Sequence, residues 1–534
     1  MAHIIEKLID NFFAPEGGPK DGEKIKINTV IAKAALVYEK IRNAVDYQED
    51  HLVRKNAIHR ILKRKLVYEK LVMENYLLDK FHNENMSEQL LQELIRGRYI
   101  SNDVSVGMIA VVDEIVKKYN QLLSRVKEME GQLEKGMFDY FLELAAVEIE
   151  QTLIPNKKDK ALINAMFSAL NPRVKLQNSD IDDKERELQV YLACHRALSK
   201  WDTGMLRHLL LNLYYPEWKH ADDALILRLA NSIGKVVPEF EKQINHPWQK
   251  QFQKVMQKNI IIFWAIRDIM EANPKTVRSI FADAELLETE IKKAITKRYK
   301  GVYAKLQRGV VRSIIYVFFT KMILALAIEF PMDWYIAGAI NYFTVAVNII
   351  FPPFLMFVVA IFIRMPKKEN TERIIQEIKN IALADGRGAV YELKDPKRRG
   401  QTVRFMFNLI YSISFVFSLF VIFFFLNKFD FNVVSSLIFV LFLTLVSFFG
   451  IRIRRPVADL LAIDRKDNFI GSIIDFFALP FVSMGRWMSN KFSKINVIAI
   501  FLDVIIEAPF KLIIEVFEDL FGFFKEKKED VLSE

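Results

Sequence analysis

A single lysine inside an apolar segment is the residue with the clearest potential for chemistry. Lys321 is the only charged residue between positions 313 and 328. An ionisable side chain at membrane depth is costly and is typical of ion paths and proton relays. If the next apolar segment folds back as a hairpin, we expect Lys321 to lie near Asn341, Thr344 or Asn348, whose side-chain oxygens can accept its protons. A transport-linked site is one interpretation; a lysine that snorkels or stabilises helix packing is the other.

Two adjacent prolines lie in that next apolar segment. Pro352 and Pro353 fall within residues 334–363, a stretch longer than the roughly 20 residues that a helix needs to cross a bilayer. Proline has no N–H and clashes with the preceding turn, so we predict a kink or a break of the helix there. A broken helix of this kind lines cavities in transporters. The alternative is one span followed by an interfacial helix.

A basic helix in the first half of the chain is the third candidate. Its clustered cations are Arg54, Arg60, Lys63, Arg64 and Lys65. Such a face is typical of nucleic-acid binding, of docking on anionic lipid headgroups, or of an ordinary solvated surface. Ile58, Ile61 and Leu62 supply a normal apolar stripe opposite the cations, so we favour the solvated surface and consider nucleic acid the weakest of the three.

Other residue types indicate no reaction. Cys194 and His195 are adjacent, and neighbouring side chains on a helix diverge by about 100°, which argues against a catalytic pair. The spacing to His208 and His220 fits no common zinc site. The sequence contains no P-loop, no H-E-x-x-H and no G-x-S-x-G motif. We therefore assign no catalytic, cofactor-binding or metal-binding residue, expect no cofactor, and favour a non-enzymatic protein.

Four apolar segments define the second half of the chain. They are residues 309–328, 334–363, 405–426 and 433–450. The long connections before, between and after the two resulting hairpins are rich in Lys and Arg, whereas the tight turns at 329–333 and 427–432 are acidic or nearly neutral. Because basic connections stay in the cytoplasm, this pattern predicts four crossings with both termini cytoplasmic. It also predicts contact between the basic connections and anionic headgroups.

The remaining chain reads as helical. After an opening segment and linker at 1–23, residues 24–308 show apolar side chains at spacings of three and four, which predicts a helical cytoplasmic domain. Ile374, Ile375, Ile378 and Ile381 indicate a short amphipathic helix with a cap at Asn370 or Thr371. Residues 456–534 predict amphipathic or interfacial helices and a charged tail. The predicted class is all-α: a cytoplasmic helical domain, a four-span transmembrane domain (309–455) and C-terminal amphipathic helices.

Composition is compatible with this division. The chain has 534 residues, a formal net charge of +10 and one cysteine. The positive charge indicates an acidic partner, either anionic lipid or nucleic acid. A single cysteine excludes an intrachain disulfide and fits a reducing compartment.

Several segments also carry a family resemblance. They are GRWMS at 485–489, SKINV at 493–497, FLDVIIEAPFK at 501–511, KEKKE at 525–529, RSIIY at 312–316, NIIFPPFL at 348–355, FFGIR at 448–452 and YLACHRAL at 191–198. Over most of its length the chain resembles a family of multi-spanning membrane proteins of small-genome, candidate-phylum bacteria. The resemblance implies a location in the bacterial inner membrane. It implies no activity and no active-site residues.

Three functions remain open on the sequence. The leading one is a non-enzymatic scaffold in the inner membrane, whose helical cytoplasmic domain binds a protein partner. The second is an oligomeric channel or secondary transporter with a polar site around Lys321 and the proline pair. The third is a membrane-tethered nucleic-acid binder that uses the basic helix.

Overall fold

The chain folds into helices along almost all of its described length. The computed structural model describes residues 1–15, 23–25, 49–73, 86–130, 136–177, 181–337, 342–384, 388–394, 400–463 and 469–494. Predictions about Asn341, about the periodic stretch near residue 30 and about the C-terminal tail lie outside the described residues. The predicted all-α class, with apolar helices of membrane-spanning length, is confirmed.

The described helices are α1 His3–Phe12, α2 Asp50–Met73, α3 Met86–Arg96, α4 Gly107–Glu130, α5 Met137–Leu153, α6 Lys157–Leu170, α7 Asp183–Leu198, α8 Thr203–Tyr214, α9 Asp223–Ile244, α10 Gln249–Ala272, α11 Val277–Ala282, α12 Ala284–Leu324, α13 Phe330–Ala337, α14 Tyr342–Ile361, α15 Lys368–Leu383, α16 Gln401–Lys428, α17 Val433–Ala458 and α18 Phe469–Lys494. Short 3₁₀ turns occupy Asn171–Arg173 and Pro216–His220, and a π-helix occupies Ala325–Glu329. Two four-residue strands, β1 Val174–Gln177 and β2 Tyr391–Lys394, pair with each other.

Aspartate caps define the starts of several helices. Asp182, Asp202 and Asp222 each accept a hydrogen bond from the backbone N–H three residues further on, at the starts of α7, α8 and α9. A carboxylate at this position satisfies one of the backbone donors that the first turn leaves unpaired. The local sequence therefore explains where these three helices start.

The chain divides into two compact units. The first, which we call the helical unit, contains Lys7–Val174 and Asn178–Met256; the second, the membrane unit, contains Met1–Glu6, Lys175–Gln177 and Gln257–Val497. The sequence placed the domain boundary near residue 308. Grouping by spatial contacts puts α10 from Gln257 onward, α11 and the first part of α12 with the apolar helices. Helix α12 itself continues without interruption from charged into apolar sequence.

The helical unit encloses one main hydrophobic core. Helices α2, α3, α4, α5, α8 and α9 contribute to it. Its largest fully buried side chains include Phe141, Trp218 and Phe240. Removing apolar surface of this size from water is the main driving force for folding of such a unit.

The membrane unit contains four helices that are long and apolar enough to cross a bilayer. They are Ala284–Met332, Tyr342–Ile361, Gln401–Lys428 and Val433–Ala458. Many large apolar side chains on them face outward, including Ile315, Phe319 and Phe420. Outward-facing apolar side chains on such helices are suited to contact with lipid.

The first of these helices extends beyond the expected turn. Residues 329–333 were expected to form a tight outer turn, but the π-helix at Ala325–Glu329 and α13 continue the helical path. Pro331 explains the wider turn. It cannot donate the N–H bond of a regular helix, and a π-helical turn immediately before it gives its ring room.

Two further helices complete the membrane unit. In α15, the four isoleucines at 374, 375, 378 and 381 are buried, and the Asn370 side chain is also buried rather than a helix cap. Asn370 Nδ2 donates to Tyr299 Oη and to the Leu460 carbonyl, at 2.9 and 2.8 Å. In α18, Gly485 lies so close to α17 that an added Cβ would be 2.3 Å from the Thr444 carbonyl oxygen. These contacts tie α12, α15, α17 and α18 together.

Candidate functional site

Polar side chains from α12, α14 and the π-helix meet inside the membrane unit. Lys321, Glu329 and Asn348 are each 0% exposed. Lys321 Nζ donates to Glu329 Oε1, and Asn348 Nδ2 donates to Glu329 Oε2 at 2.7 Å. We call these three side chains the buried triad. A buried charge pair of this kind is stable only when each charge has a close partner.

The π-helix brings Glu329 onto the same side of the helix as Lys321. The two residues are eight positions apart. In a regular helix that spacing separates side chains by about 80°. The extra residue in a π turn makes the spacing resemble seven positions, which leaves about 20° and places both residues on one stripe. The local backbone geometry therefore creates the ion pair.

Helix α17 closes the triad from the other side. Asn348 Nδ2 approaches the Ser435 carbonyl oxygen at 3.4 Å. Lys321 Nζ lies 5.1 Å from the centre of the Phe442 ring, within range for a cation–π contact. Both contacts come from the first ten residues of α17, so three chain segments surround the charge pair.

Two oxygens at this site have no hydrogen-bond partner. Asn348 Oδ1 and Ser435 Oγ are buried and accept or donate nothing in the described structure. An unsatisfied buried polar atom costs about 1–3 kcal/mol, so such atoms are rare in native proteins and call for an explanation. The triad is thus incompletely satisfied, although its formal charges cancel.

The sequence-based candidates around Lys321 are only partly brought together. Asn348 joins the site through Glu329 and makes no direct hydrogen bond to Lys321 among the described contacts. Thr344 Oγ1 donates to the Phe429 carbonyl at 3.2 Å. Asn341 lies outside the described residues. The sequence pattern placed Glu329 in a turn, so its ion pair with Lys321 was not predicted.

The proline pair does not end the helix. Pro352 and Pro353 lie within α14, which is continuous from Tyr342 to Ile361, and both are buried. The predicted break is therefore not present: no helix ends at the proline pair. Each missing N–H removes one backbone bond.

The candidate basic face is largely occupied by carboxylates of the helical unit. Arg54 donates to Glu150 at 2.9 Å, and Lys63 lies 2.7 Å from Asp139. Arg64 lies 2.5 Å from Glu93. Lys65 donates to the Gln89 side chain at 2.5 Å, and Arg60 is partly buried. These contacts join α2 to α3 and α5. They also pair the cationic side chains within the protein, so fewer of these charges remain for binding the phosphates of a nucleic acid.

A second buried lysine–glutamate pair lies in the helical unit, and no sequence pattern predicted it. Lys118 Nζ donates to Glu148 Oε1 at 2.5 Å and to the Trp218 carbonyl at 3.0 Å. Tyr119 Oη donates to Glu148 Oε2 at 2.9 Å and accepts from Trp218 Nε1 at 3.0 Å. His208 Nε2 lies 3.6 Å from the same carboxylate. We call these residues the soluble network.

Electrostatics favour the ionised form of Glu148 in the soluble network. Burial by itself raises the pKa of Glu148, but the hydrogen bonds and charges of His208 and Lys118 outweigh it, so the pKa lies below the usual value. Burial raises the pKa of the Tyr119 hydroxyl well above its usual value. Every polar group of the network has a partner, which is typical of a structural role.

Cys194 and His195 occupy the core of the helical unit. Cys194 is fully buried, and burial raises the pKa of its thiol. Burial lowers the pKa of His195 to about 3, and neither of its ring nitrogens has a partner in the described structure. The imidazole packs against Trp201 with its ring tilted by 37°, and it meets Tyr191 edge to face; the ring centres are 4.1 and 4.7 Å apart. The described residues contain no cluster of His, Cys, Asp and Glu side chains that could hold a metal ion.

Comparison of the chain with protein-family models, with curated proteins and with solved structures gives no match.

Proposed function

We propose that this chain is a multi-pass inner-membrane scaffold. Its apolar helices hold a helical cytoplasmic region at the bilayer, and that region binds a protein partner. The observation that carries this proposal is the continuous helix Ala284–Met332, which is polar and docked over its first part and apolar and outward-facing over its last part.

The first part of this helix is firmly packed within the membrane unit. Arg298 makes two hydrogen bonds to the Asp268 carboxylate, at 2.7 and 2.6 Å. Lys379 of α15 donates to Glu288 at 2.5 Å. Leu287, Ile291 and Ile295 are buried beside these contacts. A helix that is packed against α10 and α15 at one end and is apolar at the other is suited to anchor these elements at the bilayer.

Charge distribution supports the topology in this proposal. Lys300, Lys305, Arg308 and Arg312 are exposed on α12 just before its apolar part, and Arg454 and Arg455 are exposed at the end of α17. Cations near the ends of spans stay on the cytoplasmic side and attract anionic headgroups. Four crossings then place both termini in the cytoplasm, and the family resemblance supports the bacterial inner membrane.

Topology is tested with reporter fusions in the full-length chain. We expect fusions after residues 1, 384 and 534 to report the cytoplasm, and insertions after residues 337 and 430 to report the outer side. A variant with Arg452, Arg454 and Arg455 replaced by Glu should shift the reporter after residue 430. Extraction of the wild-type chain by alkaline carbonate would contradict membrane integration altogether.

The scaffold itself is tested by the mass of the purified particle. Full-length protein in detergent should appear as one or two chains with a soluble protein bound in fixed stoichiometry. That complex should persist in the Lys321→Met variant, because the partner binds the helical region. A closed ring of chains without a partner would contradict the scaffold and favour a pore.

The buried triad supports a second function, that of an oligomeric channel or secondary transporter. Intramembrane charged groups with unsatisfied oxygens are more typical of ion paths than of simple anchors. Reconstituted proteoliposomes test this function. A cation flux in the wild type that disappears in Glu329→Gln would establish it, and equal leakage in both would exclude it.

The third function, nucleic-acid binding, draws the least support. The cations of α2 that suggested it contact carboxylates of neighbouring helices, as described above. Salt-dependent binding of duplex DNA or RNA by the purified protein would reinstate it.

A further inference from the structure

We propose that Glu329 and Asn348 form a binding site for a monovalent alkali cation, and that the Lys321 ammonium group occupies the position of this cation in the described structure. The inference goes beyond a scaffold, since an ion site can exist in a protein that transports nothing.

The donor atoms at the site are the kind that alkali cations prefer. Both Glu329 oxygens are engaged, one with Lys321 and one with Asn348. Asn348 Oδ1 and Ser435 Oγ are buried without a partner. The Ser435 carbonyl lies next to the same amide, 3.4 Å from Nδ2. Carboxylate, amide, hydroxyl and carbonyl oxygens are hard ligands that bind cations such as Na⁺ and K⁺ in place of water.

The unsatisfied Asn348 Oδ1 is the independent observation that points to a ligand, because this side chain contacts Glu329 directly. Asn348 is 0% exposed, so no bulk water completes its hydrogen bonding. A triad built only as an ion pair would need no oxygens beyond those of Glu329. A cation bound at Glu329 would give the Asn348 amide oxygen a partner once the amide is turned towards the ion, and the amide nitrogen would then give up its hydrogen bond to Glu329.

Charge balance selects a monovalent ion. Lys321 and Glu329 make the only ion pair described at this site. The described contacts that reach the pair from α14 and α17 come from the side chains of Asn348 and Phe442, which are both neutral. A divalent ion would leave an extra positive charge in an apolar interior, which costs several kcal/mol. One alkali cation in place of the ammonium keeps the site neutral.

Lys321 is suited to act as a tethered competitor. A lysine ammonium is a compact charge on a flexible stem, similar to a hydrated cation in its chemistry. The π-helix next to Glu329 holds the carboxylate against this ammonium. Removing the ammonium, by mutation or by deprotonation, should therefore open the site to the ion in solution.

The test is thermal unfolding of the full-length protein in detergent, with sodium, potassium or choline chloride at equal ionic strength. In Lys321→Met, we expect sodium or potassium to raise the midpoint by about 3–5 °C over choline, since ligand binding to the folded state stabilises it. In the wild type at neutral pH the three salts should give equal midpoints. Lys300→Met, an exposed lysine on the same helix, is the matched control and should show no cation dependence.

Two variants separate the ion site from a general salt effect. Lys321→Met/Glu329→Gln and Lys321→Met/Asn348→Leu should both lose the response to sodium and potassium. If Lys321→Met does not fold, the wild type at strongly alkaline pH supplies the same comparison, because its lysine is then neutral. Equal midpoints in all three salts, in Lys321→Met or in the alkaline wild type, overturn the proposal and leave Lys321 and Glu329 as a structural ion pair.

Discussion

The two buried lysine–glutamate pairs of this protein have different surroundings. In the soluble network, the Glu148 carboxylate and the Lys118 ammonium have additional partners in Tyr119, His208 and the Trp218 carbonyl. In the buried triad, the charges are paired but oxygens of Asn348 and Ser435 remain without partners. A completely satisfied network stabilises one structure; an incompletely satisfied one leaves room for a ligand or for a second arrangement.

Removing one charge from either pair should have the largest effect. We expect Lys321→Met, measured in choline chloride, and Glu148→Leu each to cost about 3–5 kcal/mol, because each strands a buried opposite charge. Denaturation of the full-length protein in detergent measures both. Glu128→Gln removes an exposed pair with Arg125 and should change stability by less than about 1 kcal/mol. A small effect at Glu148 would mean that water reaches the soluble network.

Replacing both charges should distinguish the two sites. Lys321→Met/Glu329→Leu should recover about 2–4 kcal/mol of the loss, since an apolar pair of similar volume suits an apolar bundle. Lys118→Met/Glu148→Leu should recover much less, because Tyr119 and the Trp218 carbonyl would lose their hydrogen-bond partners. Double-mutant cycles give both coupling energies. Equal recovery at the two sites would show that the surroundings of the two ion pairs do not differ in their effect on stability.

A substitution that disturbs helix packing at Gly485 in the membrane unit should lower the free energy of unfolding by less than the loss of a buried charge does. In Gly485→Val the added side chain collides with the Thr444 backbone and Phe448, so α17 and α18 must separate, at a cost of about 1–3 kcal/mol. Gly301→Ala is the matched control on α12. Its new Cβ meets nothing within 4 Å, so the variant should gain about 0.5–1 kcal/mol from helix propensity. A neutral Gly485→Val would show that the two helices are loosely packed.

The helical unit should also carry a modest sensitivity to acid. The His195 pKa is about 3 when folded and about 6.5 when unfolded. The unfolded chain therefore binds more protons between these values, and stability falls as pH decreases from about 6.5 towards 3, by at most about 1.4 kcal/mol per pH unit. His195→Phe keeps the packing on Trp201 and should remove the share of this slope that His195 contributes, whereas His51, His59 and His246, whose pKa values burial also lowers, keep theirs. Unfolding of wild type and variant at pH 8 and pH 5.5 measures it; parallel losses would contradict the assignment to His195.

The sequence predicted the fold class from features that are local. Long apolar runs identify the membrane-length helices, and isoleucines spaced by three and four identify the buried face of α15. Lys321 stood out because nothing else in its apolar run is charged. Each of these signals depends on one segment and on a regular helical repeat.

The sequence could not predict features that depend on an irregular backbone or on distant residues. Glu329 beside a proline looks like a turn residue, and only the π-helix turns it towards Lys321. The cations of α2 looked free because their partners lie up to 96 positions away, as Glu150 does from Arg54. The soluble network joins residues 30 and 100 positions apart, and no spacing rule connects them.

The length of α12 has a mechanical consequence. Its 41 residues form a rod about 60 Å long. A change in bilayer thickness alters the tilt of a spanning helix, and a tilt of about 10° at one end displaces the other end of such a rod by about 10 Å. The displaced end begins at Ala284, so α11 and α15, which pack against α12, would move with it when lipid chain length changes.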